Sequence, residues 1–349
     1  MIFPEIHNRA IEDLLLIRFQ NAKQGLKYEK FNYILADFDG VVYRVHSLPN
    51  DKSKLIVSIY LSYFKELQEF RANDVLKKEY GPHLCSEPET DCSISLIYDL
   101  ANLPYDLPSL AHQASLLKRN CLASVFERLF EFQASEGAIG FKQAVIHYRS
   151  DETLYIQAQP DRVTVIFSTL FKDPGDAILG KVFMQELTEV RRRIDRAPQA
   201  LCSYGTPPAE LKDTDAVVGD NVAYITFVLF PRHLTPTAAP RTINLMYSLR
   251  NYLHYHIKCA KGYVHRRMRT KATEFVKILN RARPQYSTVP VIQLSVLPSR
   301  FPSTTSFASL YSSEGDGDLA DATSPNGMSK ETSPELPCVP DFTAMNGYV

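Results

Sequence analysis

The chain has 349 residues, 45% of them hydrophobic, which supplies enough apolar material for two domains and excludes a largely disordered protein. Its formal net charge is zero, but the charges are unevenly distributed along the chain. Residues 1–240 carry 26 Lys or Arg against 31 Asp or Glu, residues 241–284 carry 11 against one, and residues 285–349 carry 2 against 7. We therefore expect the basic segment 241–284 to bind an acidic partner.

Cysteine use and hydropathy both indicate a cytoplasmic protein. The six cysteines are scattered without a C-x-x-C pair, which is more typical of a reducing compartment than of a disulfide framework. The N-terminal MIFPEIHNRAIEDLLL lacks the basic and apolar regions of a signal peptide. Apolar runs such as AYITFVLF are much shorter than the roughly 20 residues that span a bilayer. We expect a soluble protein without membrane insertion.

The first part of the chain mixes helical and β patterns. An amphipathic helix is predicted in PEIHNRAIEDLLLIRFQNA, and two strands are predicted around Asp39-Gly40 in FNYILADFDGVVYRV. Further strands are indicated by KLIVSIYL and SISLIYDL, and helices by SYFKELQEFRANDVLKKEY and PSLAHQASLLKRNCLASVFERLFEFQ. We assign residues 1–120 to a first α/β domain.

The second part predicts an antiparallel meander, a helix and a buried strand. The meander consists of AVIHYR, TLYIQAQ and VTVIFSTLF, separated by short polar turns. Asp173 or Asp176 can cap the next helix, whose apolar positions include Ile178 and Val182, and NVAYITFVLF is typical of a buried strand. We assign residues 121–240 to a second α/β domain. The fold class is α+β, with two related units and mostly antiparallel sheets, because the strands come as hairpins.

A long basic amphipathic helix is predicted over residues 241–284, between Pro240 and Pro284, with Thr242 as a plausible cap. At 1.5 Å per residue it would be roughly 60 Å long. Nine of its apolar side chains, from Leu249 to Leu279, fall within a helical band about 140° wide, into which Lys261 intrudes. The following residues, 285–349, are rich in Ser, Thr and Pro and acidic, and they predict a disordered tail.

ILADFDGVVY resembles the first motif of haloacid-dehalogenase-type phosphatases. In that family the first aspartate, here Asp37, is the nucleophile, the second, here Asp39, is the general acid, and both help to hold Mg²⁺. VVGDNVAY, with Asp220, is similar to the late metal-binding motif but lacks its second carboxylate. An Asp-Gly pair between β-rich runs also predicts a hairpin turn, which we favour. We therefore predict no enzyme, no catalytic residue and no cofactor, with a Mg²⁺-dependent phosphatase as the alternative function.

The stretch HYHIKCAKGYVHRRMR within the long helix combines histidines with many cations. Its histidines at positions 254, 256 and 265 do not converge on one helical face at ligand spacing, so we predict no metal site. The cations suit nucleic acid, and a basic amphipathic helix also suits calmodulin or a membrane surface. The apolar band favours a protein partner, because a helix this long overhangs a single α+β unit.

Several long stretches resemble one family, subunit 2 of the actin-related protein 2/3 complex. They run in order from about residue 1 to 284 and include ADFDGVVY, LLKRNCLASVFERLFEFQ, AVIHYRSDETLYI, DRVTVIFSTLFKD, ELKDTDAVVGDN and TINLMYSLRNYLHYHIKCAKGYVHRRMRTKATEFVKILNRARP. The resemblance implies a non-catalytic scaffold subunit with two related α/β domains and a long terminal helix. It further implies that this helix pairs with subunit 4 to form the core of the complex, and that the subunit contacts the side of the mother actin filament during branched actin nucleation.

If the chain has the role that the resemblance implies, its site residues can be assigned from their charge and helical position. Partners are then subunit 4, the other subunits and the actin filament, with no nucleic acid, and the location is the cytoplasmic actin cytoskeleton at the cell cortex and protrusions. The partner-subunit interface is predicted to comprise Leu253, Ile257, Ala260, Val264, Met268, Phe275 and Leu279. Actin-filament binding is predicted at Arg266, Arg267, Arg269, Lys271 and Lys277, with residues 191–193 as further candidates.

Overall fold

The computed structural model describes residues 5–135, 142–194 and 196–283. These residues fall into two compact units, 5–268 and 269–283. The predicted tail 285–349 lies outside the described residues. The first unit contains two antiparallel sheets with helices, which confirms the α+β fold class.

The first sheet has four antiparallel strands in sequence order, β1 to β4. Its central strand β3 buries five consecutive residues, Leu55 to Ile59, as expected for a strand covered on both faces. The strands are β1 Asn32–Ala36, β2 Val42–Ser47, β3 Lys54–Tyr60 and β4 Ile94–Asp99. The helices of this part are α1 Arg9–Lys23, α2 Phe64–Glu69, α3 Ala72–Tyr80, α4 Leu107–Ser115 and α5 Leu117–Ala134.

Two helices predicted as single elements are each divided in the structure. The break between α2 and α3 falls at Arg71, whose φ of 61° is left-handed and cannot continue a helix. The break between α4 and α5 falls at Leu116. The apolar periodicity continues across both breaks, and so the sequence pattern alone did not show them.

The second sheet has five antiparallel strands in the order β5-β6-β7-β9-β8. The predicted meander is confirmed as its first three strands, and β9 is buried along its whole length. The strands are β5 Lys142–Ile146, β6 Leu154–Ala158, β7 Val163–Leu170, β8 Gln199–Tyr204 and β9 Val222–Leu229. Strand β8 was not predicted from the sequence; it is an edge strand in which exposed and buried residues are mixed.

Helix α6, Pro174–Arg191, is capped by Asp173 as predicted, but its buried face is only partly the predicted one, since Leu187 packs against the core and two other apolar residues do not. Ile178 and Val182 are exposed, whereas Met184 is fully buried. The buried face includes Gly180, where an added Cβ would lie 2.5 Å from Cζ of Phe171. A glycine that admits a neighbouring ring does not contribute to an apolar stripe, so the apolar pattern did not reveal the part of the buried face around Gly180.

The long helix is confirmed as α7, Ala239–Arg281, with Pro240 in its first turn, where the missing N–H costs no hydrogen bond. Thr242 is not its cap. The N–H of Thr242 donates to Ala238 O at 3.0 Å, and its hydroxyl donates to His233 O at 2.8 Å, so this residue lies within the first turn.

Candidate functional site: the C-terminal helix

The first part of α7 is anchored in the core of its own chain. Its buried apolar side chains recur at helical spacing and include Ile243, Met246 and Leu249. Leu253 is fully buried and Ile257 is 2% exposed, so neither is available to a partner. Their assignment to the partner interface is therefore corrected. An apolar stripe in a sequence does not distinguish the part that packs on its own domain from the part that packs on another chain.

A charged pair fixes the same part of the helix. Arg250 donates two hydrogen bonds to Glu152, from Nε at 2.7 Å and from Nη2 at 3.2 Å. Glu152 lies between β5 and β6, and its side chain is only 2% exposed. Because a guanidinium–carboxylate pair with two hydrogen bonds fixes both distance and orientation, it holds α7 against the second sheet.

The turn between β1 and β2 joins this pair through Asp39. Its carboxylate accepts hydrogen bonds from Arg149 Nε at 2.6 Å and from Lys118 Nζ at 3.1 Å. Arg149 Nε also lies 3.6 Å from Glu152. We call Asp39, Lys118, Arg149, Glu152 and Arg250 the charge cluster. It connects the first sheet, α5, the β5–β6 turn and α7.

The charge cluster lowers the pKa of both of its carboxylates. Burial alone would raise the pKa of Glu152, but Arg250 and the nearby imidazole of His254, whose Nε2 lies 3.6 Å away, bring it to about 2. Burial would likewise raise the pKa of Asp39, and its two cationic partners bring it below its ordinary value. Both acids are therefore ionised at neutral pH and are compensated by cations in a desolvated setting.

Only one member of the charge cluster, Asp39, was predicted from the sequence to be notable, as a residue of the hairpin turn or of the phosphatase-like motif. The partners come from positions separated by up to about two hundred residues, and no spacing rule connects them. A signal was nevertheless present. Every member lies in one of the stretches that carry the family resemblance, such as Lys118 in LLKRNC and Arg149 in AVIHYRSDETLYI.

The Asp37–Gly40 segment forms a hairpin turn and does not support a phosphatase. Asp39 and Gly40 both have a φ of 69°, as the hairpin interpretation requires. The chain leaves β1 and enters the antiparallel strand β2 directly, whereas the phosphatase motif ends a buried parallel strand. Asp37 accepts a hydrogen bond of 2.7 Å from the next backbone N–H and lies 3.7 Å from Lys118 Nζ, so it is part of a structural turn.

Two of the three histidines of α7 make packing contacts. The ring of His256 stacks on that of Phe183, with centroids 6.3 Å apart, and its centroid lies 4.2 Å from that of Tyr252. Burial lowers the pKa of His256. His254 contacts the charge cluster, and His265 is exposed. Among the residues that the structure describes, none of the three belongs to a group of convergent metal ligands.

The second part of α7 is exposed. From Lys258 to residue 283, each residue except Lys261 is exposed. Lys261 is held by Asp173 and Asp176 at the start of α6, each 2.9 Å from Nζ, which explains a lysine within the apolar band.

Five of the residues predicted for the partner interface lie in this exposed part. Ala260, Val264 and Met268 belong to the first unit, and Phe275 and Leu279 to the second. The four larger side chains are between 44% and 66% exposed.

One residue of the exposed apolar face was not predicted from the sequence: Ile278, which is 57% exposed. It lies three residues after Phe275 and next to Leu279, and so it shares the face of these two residues in the second unit. The same periodicity could have found it.

The predicted filament-binding residues are all exposed, but they do not share one face. Helical geometry places Arg266, Arg269 and Lys277 opposite the apolar face. Lys271 lies four residues before Phe275, and so it falls on the apolar side, where it pairs with Glu274 at 2.8 Å. Arg267 lies at the edge of the apolar face.

The further filament candidates follow α6. The side chain of Arg191 lies outside the described residues, and Arg192 and Arg193 are exposed just after the helix ends. No described helix has the length and apolar character that a transmembrane span requires.

A chain that buries one part of a long helix in its own core and exposes the apolar face of the rest is typical of a subunit of a larger assembly. A family model described as "Arp2/3 complex, 34 kD subunit p34-Arc" matches residues 57–286. The chain belongs to this family of scaffold subunits, which confirms the resemblance seen in the sequence.

Two curated relatives agree with the family model. The chain is 38% identical over 306 residues to actin-related protein 2/3 complex subunit 2 of Schizosaccharomyces pombe, a match that covers 81% of this chain and 95% of that protein. It is 37% identical over 288 residues to the protein of the same name from Dictyostelium discoideum, with 82% and 94% covered.

Proposed function

We propose that this chain is a non-catalytic, actin-binding scaffold subunit of the Arp2/3 complex. Its long helix pairs with subunit 4, and its basic face contacts the side of the mother filament during branched actin nucleation. It acts in the cytoplasmic actin cytoskeleton, at the cell cortex and protrusions. The observation that carries the proposal is the exposed apolar face of α7 in a chain of this family.

Residues 1–120 and 121–240 are proposed as the two α/β domains of this subunit. Strands β1 to β4 fall in the first range and strands β5 to β9 in the second. Helix α5 crosses the boundary, and the charge cluster draws on both ranges, so the two sheets are coupled through it. A scaffold benefits from this coupling because it keeps the first part of α7, up to Ile257, fixed relative to both sheets.

The partner surface is proposed to comprise Ala260, Val264, Met268, Phe275, Ile278 and Leu279. Coexpression with subunit 4 of the same organism tests it. The two chains are expected to coelute as a 1:1 complex in size-exclusion chromatography at high salt, because apolar burial is not screened by ions. Separate elution of two folded chains would overturn the pairing.

The filament surface is proposed to comprise Arg266, Arg269 and Lys277, opposite the apolar face. Changing all three to Glu is expected to weaken cosedimentation with actin filaments about tenfold, because three exposed ion pairs at about 0.5 kcal/mol each sum to about 1.5 kcal/mol. The effect is expected to shrink as salt rises, since exposed charges are screened over about 8–10 Å.

A matched control for this variant is Lys27, Lys30 and Lys77 changed to Glu, which removes the same charge from other exposed positions. The control is expected to bind filaments like the unchanged chain. If the control weakens binding equally, the effect is one of net charge. If the α7 variant instead fails to join subunit 4, the two faces of the helix have been exchanged in the assignment.

A further inference from the structure

Two helices of the first unit bring two histidines and a glutamate together at the surface. His7 lies just before α1, Glu12 lies in the first turn of α1, and His112 lies in α4. His7 Nε2 is 2.9 Å from Glu12 Oε2, and His112 Nδ1 is 3.2 Å from Glu12 Oε1. One ligand atom from each of the three lies within 4.8 Å of the other two.

These ligand types, and the distances between them, fit the coordination of a divalent transition metal. Two imidazole nitrogens and one carboxylate oxygen are ligands that zinc accepts, and tetrahedral bonds of about 2.0–2.1 Å place ligand atoms roughly 3.3 Å apart. Glu5 Oε2 lies 3.4 Å from His7 Nε2, so a second carboxylate, or a water molecule, can supply the fourth ligand. Two carboxylates among the ligands would balance the charge of a dication.

The backbone holds these ligands before any metal arrives. Asn8 caps α1 by accepting a hydrogen bond of 3.2 Å from Ile11 N–H, which fixes the segment between His7 and Glu12. The N–H of Asn8 also donates to Ser115 O at 3.0 Å and so ties the start of α1 to the end of α4. The side chains of His7 and Glu12 are 19% and 24% exposed, which leaves a path for a metal to enter.

We propose that His7, Glu12 and His112 form a zinc site that clips α1 to α4. His112 lies about a hundred residues after His7 and Glu12 in sequence, which is why the sequence-based expectation of no metal considered only the histidines of α7. The proposal revises that expectation and is independent of the proposed pairing and filament contacts.

The test is a calorimetric titration of Zn²⁺ into the metal-free full-length chain, coexpressed with subunit 4 where that improves its yield. We expect one saturable site, at least tenfold weaker in His112→Ala and in Glu12→Gln. The matched control is His265→Ala, which removes an exposed histidine from α7 and is expected to leave affinity unchanged. Co²⁺ bound at the same site is expected to show the visible absorption of tetrahedral coordination, lost in Glu12→Gln.

Two results would overturn the site. One is the absence of saturable Zn²⁺ binding to the folded chain, which would leave the cluster as a hydrogen-bonded network centred on Glu12. The other is binding that persists unchanged in both variants, which would place the metal elsewhere. If His112→Ala does not fold, as judged by circular dichroism, the nearly isosteric Glu12→Gln decides.

Discussion

Replacing Glu152 by alanine is expected to lower the free energy of unfolding by about 3–5 kcal/mol, as for other buried ion pairs that lose one partner. Glu152 is 2% exposed and accepts two hydrogen bonds from Arg250. Its removal leaves a half-buried guanidinium without its main counter-ion and opens a cavity beside α7. Urea unfolding at pH 7, followed by circular dichroism, measures the change.

The matched control for this substitution is Asp161→Ala. Asp161 also pairs closely with an arginine, Arg162 Nη2 at 2.6 Å, but both side chains are about half exposed. An exposed pair contributes about 0–1 kcal/mol, so the control is expected to unfold nearly like the unchanged chain. Equal effects of the two substitutions would contradict the anchoring role of the charge cluster.

The same carboxylate gives the stability of the chain a defined pH dependence. The pKa of Glu152 is about 2 in the folded chain, below its ordinary value of 4.5. A lowered acid pKa contributes stability that is fully present above about pH 4.5 and is lost as pH falls towards 2, here up to about 3 kcal/mol. Glu152→Ala is expected to flatten the unfolding free energy over this range.

Much of the fold was predictable because it follows from local patterns. The β1–β2 hairpin depended on Asp39-Gly40, and both residues adopt the left-handed conformation that the pair predicts. The meander β5–β6–β7 and the buried strand β9 followed from runs of apolar residues between polar turns. Strand β8 was missed because an edge strand is covered on fewer sides, so its sequence shows neither alternation nor a continuous apolar run.

The candidate site was predictable only in part. Periodicity located α7 and its apolar side, but it could not show that Leu253 and Ile257 are covered by the chain itself. The charge cluster and the His7–Glu12–His112 group depend on contacts between distant segments, which no spacing reveals. Lys261 is a second residue whose role could not be predicted from helical position alone. Within the helix it interrupts the apolar band, whereas in the fold it pairs with Asp173 and Asp176 at the start of α6.

Changing both Val264 and Met268 to Asp is expected to weaken binding to subunit 4 at least about a hundredfold, since interface hot spots are each worth about 2 kcal/mol or more. Both side chains are largely exposed in this chain, so the substitution is expected to leave its unfolding free energy within about 0.5 kcal/mol. In the proposed pair the two carboxylates would be buried against apolar side chains, where an ionised group without a partner is strongly unfavourable. Biolayer interferometry with immobilised subunit 4 measures the loss.

The matched control adds the same two charges to the opposite side of the helix, at Thr273 and Asn280, both of which are exposed. At about 100° per residue these positions lie roughly half a turn from the centre of the apolar face. The control is expected to bind subunit 4 within about threefold of the unchanged chain, since exposed charges contribute little to affinity. Comparable losses in both variants would mean that subunit 4 surrounds α7, and no loss in either would place the partner elsewhere. If only the Val264 and Met268 variant loses binding to subunit 4, then subunit 4 covers the apolar face. The face of Arg266, Arg269 and Lys277 would then remain open to the filament.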